Sequence, residues 1–155
     1  MRRAALASLV MLTACGSTQV ESLQIAVSAD STCGIDIIGQ IDDVSVELRT
    51  PRKTFPAACR VHPASEDDFD SLEEMKSWLK TLTFEGFDQP LKEGKHELKL
   101  LAYDSRCPNT DKIIGCAHLT FELPVDDATL PLAMVCYHKD VSSSVPPAFT
   151  DCLAR

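Results

Sequence analysis

Histidine, cysteine and carboxylate are the side chains of this sequence with chemistry to offer, and their spacing decides which chemistry is open to them. The four histidines, His62, His96, His118 and His138, are scattered along the chain. His96 and His118 are read as outward strand positions, His62 precedes Pro63 and His138 ends a strand, so each is expected as exposed polar surface. No Gly-x-Ser-x-Gly motif marks a nucleophile with its base and orienting group. Glu66-Asp67-Asp68-Phe69-Asp70 has the acid density of a calcium loop but not its order, because Leu72 and Glu73 stand where the third ligand and the glycine would be. Asp42-Asp43 and Asp126-Asp127 read as turn acids. Trp78 is the only tryptophan, beside an apolar helix stripe, and Tyr103 and Tyr137 are out of phase with their strands' inward residues, which places both on strand surface. The expectation is no catalytic residue, no cofactor and no metal, hence no enzyme.

The seven cysteines carry the strongest signal. Met1-Arg2-Arg3 supplies a positive start, and residues 4–12 form an apolar run too short to span a bilayer, the pattern of a signal peptide. Its end, Leu12-Thr13-Ala14-Cys15-Gly16, resembles the lipobox of bacterial lipoproteins: an aliphatic residue, two small residues and the cysteine that receives diacylglycerol. The resemblance implies cleavage of residues 1–14 and lipidation of Cys15 as the mature N-terminus. Two or three acyl chains hold firmly where one is marginal, at about 0.8 kcal/mol per buried methylene. Gly16 stands where an inner-membrane retention signal of enteric bacteria would place Asp, so an outer-membrane lipoprotein is expected, on the periplasmic face or the cell surface.

With Cys15 assigned to lipid, Cys33, Cys59, Cys107, Cys116, Cys136 and Cys152 remain, an even number in an oxidising compartment. Three disulfides are expected. No two of the six are spaced Cys-x-x-Cys, which speaks against a thioredoxin-like site and a zinc ribbon. Of the fifteen pairings that six cysteines allow, the turn residues Pro108-Asn109-Thr110-Asp111 favour Cys107 with Cys116. Cys136 with Cys152 would pin the C-terminal tail, leaving Cys33 with Cys59. Losing residues 1–14 removes Arg2 and Arg3, so the mature chain has 13 basic against 23 acidic residues, a net of −10. Nucleic acid, which demands a basic face, is therefore not an expected partner.

These residues need elements to position them. The mature chain of 141 residues is the size of one domain. Residues 15–22 read as lipidated cysteine and tether, and 23–155 as the domain. Within it the dominant period is two: Leu23, Ile25, Val27; Val44, Val46, Leu48; Leu98, Leu100, Ala102; Ala117, Leu119, Phe121, Leu123; and Leu130, Leu132, Met134, Cys136. His118, Thr120 and Glu122 point away from their strand's apolar side. Short alternating strands broken by Lys92-Glu93-Gly94 and Asp126-Asp127 predict an antiparallel β-sandwich. Residues 65–82 break the period: Phe69, Leu72, Met75, Leu79 and Leu82 fall on one stripe, Ser65 can cap, and Lys76 and Lys80 lie near the end, predicting one amphipathic helix docked on the sandwich. Residues 139–149 read as an irregular tail that Cys152 returns to the body.

The run Gly94-Lys95-His96-Glu97-Leu98-Lys99-Leu100-Leu101-Ala102-Tyr103, followed by Cys107, Cys116 and Leu132-Ala133-Met134-Val135-Cys136, resembles the immunoglobulin-like modules of small cell-envelope lipoproteins of myxobacteria and related gliding or predatory bacteria. The resemblance covers roughly the last 60 residues. It implies a disulfide-stapled, immunoglobulin-like sandwich that serves envelope assembly, surface adhesion or gliding motility through contacts with other envelope proteins. Competing classes are a small-ligand or carbohydrate-binding lipoprotein, marked by a concave pocket with a polar rim, and a sandwich-type protease inhibitor, marked by clustered exposed loops. An enzyme with a dispersed site would show histidines converging with carboxylates.

Overall fold

A computed structural model of the chain describes residues 24–61, 71, 73, 74, 77, 91–124 and 129–155. The strands are β1 (Gln24–Ala29), β2 (Asp43–Arg49), β3 (Thr54–Val61), β4 (Gly94–Tyr103), β5 (Ile113–Leu123) and β6 (Thr129–Cys136), in the sheet order β1-β6-β5-β4-β2-β3. From Ile25 onward the period-two runs lie on these strands, Leu23 being outside the described residues, and the chain is mainly β. The sheet is mixed rather than antiparallel throughout, because β1 runs parallel to β6 from Gln24↔Thr129 to Ala29↔Met134. The two segments are separated by most of the chain, so no tight turn obliges them to oppose. β5 and β6 share only Gly115↔Cys136 and Cys116↔Val135. Beyond those pairs β6 parts from β5 and takes β1 with it, leaving β5-β4-β2-β3 as the antiparallel portion.

Register converts the alternation into a core. Val46 faces Leu100 and Leu100 faces Ala117; Leu48 faces Leu98 and Leu98 faces Leu119. Each row joins apolar side chains across three strands, and together with Val27, Leu130, Leu132 and Met134 they form the inner face. The short helix α1 (Ile35–Ile38) adds Ile37 and Ile38 to it. Gly115 is required where β5 passes Met134: a Cβ there would stand 2.9 Å from both the Ala102 Cβ and the Met134 Sδ. That contact is closer than side chains tolerate without displacing a neighbour.

The outer face is covered at one end by α2 (Pro147–Ala154), a helix opened by proline at its first position, where the missing N–H costs nothing. Phe149 and Cys152, three residues apart on one stripe, pack with Cys116, Leu101, Ile113, Val135 and Tyr137. Burial on both faces explains why residues 114–117 are all buried despite their alternation. The irregular tail expected over 139–149 thus ends in a helix that period-two reading passed over. Ser71 Oγ accepts the Glu74 N–H at 3.2 Å, a helix N-cap bond, and Glu73, Glu74 and Ser77 are helical. That cap lies within the stretch expected to be capped at Ser65. Ser65 itself, Trp78 and the apolar stripe of 65–82 lie outside the described residues, as do the signal peptide 1–14, Cys15 and the tether.

Candidate functional site

The six cysteines expected to pair all do, in a connectivity different from the expected one: Cys33–Cys136, Cys59–Cys107 and Cys116–Cys152. The reason lies in the β4–β5 register. Tyr103 faces Ile113 and Leu101 faces Cys116, so Cys116 lies inside the sheet under α2, while Cys107 stays in the connection and meets Cys59 of β3. Cys136 ends β6 beside the turn after β1. There Asp30 accepts from the Thr32 amide and hydroxyl, and Thr32 Oγ1 in turn accepts the Cys136 N–H at 2.9 Å. Cys33 is thereby set next to Cys136.

At this end of the sheet several polar side chains are buried, against expectation. Asp43, expected as a turn acid, is 2 % exposed in β2, where its Oδ2 accepts the Cys107 N–H at 2.7 Å and its Oδ1 has no partner. It ties the β4–β5 connection to the sheet next to the Cys59–Cys107 bridge. Tyr103, expected on the strand surface, is 3 % exposed with its hydroxyl 3.2 Å from Ser45 Oγ. Its phase is outward, as expected, but the side chain is buried on that side. His138, expected as exposed filler, is 6 % exposed. Its Nδ1 accepts the Asp140 N–H at 3.3 Å and its Nε2–H points at Asp104 Oδ2, 3.2 Å away, which also faces Lys112 Nζ at 3.4 Å. These contacts clamp the β4–β5 connection to the end of β6. Among the described residues, no group of three or more His, Cys, Asp or Glu is placed to hold a metal ion.

His118 is on the outer face as expected, amid Glu47, Arg49, Glu97, Lys99 and Arg155. Arg49 pairs with Glu47 at 3.1 Å and Glu97 at 3.8 Å, and Lys99 Nζ donates to the Leu153 carbonyl at 3.0 Å, closing the C-terminal end of α2. Partial burial lowers the pKa values of His118 and Lys99, with smaller opposing pulls from Glu97 on the histidine and Glu47 on the lysine.

His96 is the largest departure. It is 1 % exposed and shares the inner face with Leu98 and Leu100. The signal was in the sequence, since residues 96, 98, 100 and 102 have one phase. The ring stacks on Phe121 at 5.2 Å, its Nε2–H donates to the Lys92 carbonyl at 2.8 Å, and its buried Nδ1 has no partner. It lies in the wall of a cavity of about 200 Å³ between the β2–β3 turn and the start of β4. Thr50, Pro51, Arg52 and Lys53 form one side of this cavity, Leu91, Lys92 and Glu93 the other, and Phe55 lies on the floor. Thr50 makes the turn rigid: its N–H donates to the Lys53 carbonyl at 2.8 Å, and its Oγ1 accepts the Lys53 N–H at 3.0 Å. Lys53 Nζ sits 4.3 Å over the Phe55 ring. Gly94 adopts φ 122°, and a Cβ there would come 3.1 Å from Pro51, so a glycine lets the two sides approach.

No family model, no curated protein and no solved structure matches this chain. No helix among the described residues is long and apolar enough to cross a membrane.

Proposed function

We propose that this chain is a lipid-anchored structural or interaction module of the bacterial cell envelope, acting through contacts with other envelope proteins and without catalysis of its own. In this reading the chain is cut before Cys15, held at the outer membrane by lipid on that cysteine, and serves envelope assembly, surface adhesion or motility. The observation that carries it is the complete pairing of the six other cysteines, the state expected of a protein exported to an oxidising compartment, behind a lipobox-like sequence. An immunoglobulin-like sandwich is the form of the domain that belongs with this reading. Its support is the parting of β1 and β6 from the four-stranded antiparallel portion after two shared residue pairs.

The test is Cys15→Ala with radiolabelled fatty acid and cell fractionation. The wild-type chain should take up label and sediment with membranes, whereas the variant should take up none and either leave the membrane fraction or accumulate unprocessed. A variant that stays with membranes through detergent-free washing would show that attachment comes from protein contacts instead. Pull-down with the acylated protein from its own envelope would then name the partner.

A further inference from the structure

The cavity beside His96 gathers positive charge in an acidic chain. The chain has a formal net charge of −8, yet Arg52, Lys53 and Lys92 line this cavity and Glu93 is the one acid among its described lining residues. Arg52 and Lys92 are exposed and form no ion pair among the described residues. Beneath this rim the lining is apolar, made by Pro51 and the small accessible parts of Phe55 and Leu91, with the almost fully covered His96 ring, stacked on Phe121, in the wall. The backbone is already in place, through the Thr50 hydrogen bonds, the His96 bond to the Lys92 carbonyl and the close approach that Gly94 permits. A preformed concavity of this kind loses little ordering entropy on binding.

Size and charge together define the occupant. A volume of about 200 Å³ is below the roughly 300 to 1,000 Å³ of sites for drug-sized ligands, so it accepts a single ring or a short branched chain and excludes oligosaccharides and peptides. Inorganic anions would leave the apolar floor uncovered, and a neutral ring would leave the cations unused. We propose that this cavity is a binding site for a small monocarboxylate with a flat apolar body, its ring against Pro51, Phe55 and Leu91 and its carboxylate between Arg52 and Lys92. The site is independent of the lipid anchor and of any protein partner.

Benzoate is the probe, titrated into the full oxidised chain with ¹³C-labelled histidine, with the His96 ring signal as readout. His118, on the opposite face, is the internal control. The His96 signal should shift saturably with a dissociation constant of about 1 mM or tighter, while His118 stays in place. Benzamide, the neutral isostere, should bind at least about tenfold more weakly, and so should benzoate to an Arg52→Gln/Lys92→Gln variant. Both substitutions are at exposed positions, so an unchanged His118 signal certifies that the variant is folded. Acetate and inorganic phosphate should give no saturable shift at millimolar concentration. The proposal is overturned by the absence of saturation with benzoate, by equal binding of benzoate and benzamide, by full binding to the folded double variant, or by acetate or phosphate matching benzoate.

Discussion

On the inner side of β4, His96, Leu98, Leu100 and Ala102 are buried in register with apolar residues of β2 and β5, whereas on its outer side Leu101 packs with Phe149 and Cys152 of α2 and Tyr103 is buried beside Ser45. The inner face closes by strand pairing, since each row is completed by the next strand's own alternation. The outer face closes by attachment: α2 is fastened through Cys116–Cys152, and the connection after β4 through Cys59–Cys107 and the Asp43 carboxylate. Elsewhere that face is polar, with Glu47, Arg49, Glu97, Lys99 and His118 forming a charged ladder whose exposed pairs contribute little to stability. The same sheet is therefore a cooperative core on one side and a bolted cover on the other, and the two should fail differently.

The sharpest test of that difference removes one bridge from each side. Cys33–Cys136, whose Cys136 belongs to the inner core, spans 103 residues, and Cys116–Cys152 spans 36. In the chain-entropy model their loss costs about 4 to 5 and about 3 to 4 kcal/mol, so Cys33→Ala/Cys136→Ala should be the less stable variant in urea denaturation. Hydrogen exchange should separate them further. Loss of Cys116–Cys152 should release protection over Pro147–Ala154 while β4 keeps its own. Simultaneous loss of protection in both segments would make the cover part of the core.

A milder probe compares neighbours in β4. Leu100→Ala empties a position 1 % exposed and should destabilise by about 2 to 5 kcal/mol through lost burial and the cavity left behind. Leu101→Ala, at a half-buried position under the cover, should cost only about 1 kcal/mol. Equal values would mean that α2 packs as tightly as the strands do.

The smallest effect is electrostatic and confined to the outer face. Burial lowers the His118 pKa below 6.5, so between the two values the unfolded chain binds the proton more readily than the folded one. Stability from this residue is therefore present above 6.5 and declines as acidification carries the pH down through the histidine range. His118→Gln should flatten that part of the stability profile measured between pH 7.5 and pH 5, taken as roughly the range over which an ordinary histidine titrates. A profile unchanged by the substitution would assign the slope to another group.

Strand positions and their phases could be read directly, because alternation is a property of consecutive residues: Val44, Val46 and Leu48, and Leu98, Leu100 and Ala102, face the core as their spacing requires. His96 follows the same rule, against the outward position expected of it: it shares the phase of Leu98, Leu100 and Ala102 and is buried with them. The number of bridges was equally local information, since an even set of cysteines behind an export-like signal needs no geometry to interpret. Which cysteines meet was not, because pairing depends on Cα atoms brought 4.8, 5.7 and 6.1 Å apart by the register of strands far apart in the chain. The burial of Tyr103 and His138, the benzoate-sized cavity and the seat of α2 share that origin. Alternation assigns a side chain to one side of a strand, but whether that side meets solvent, a helix or a cation-rimmed hollow depends on which distant segment comes to lie over it.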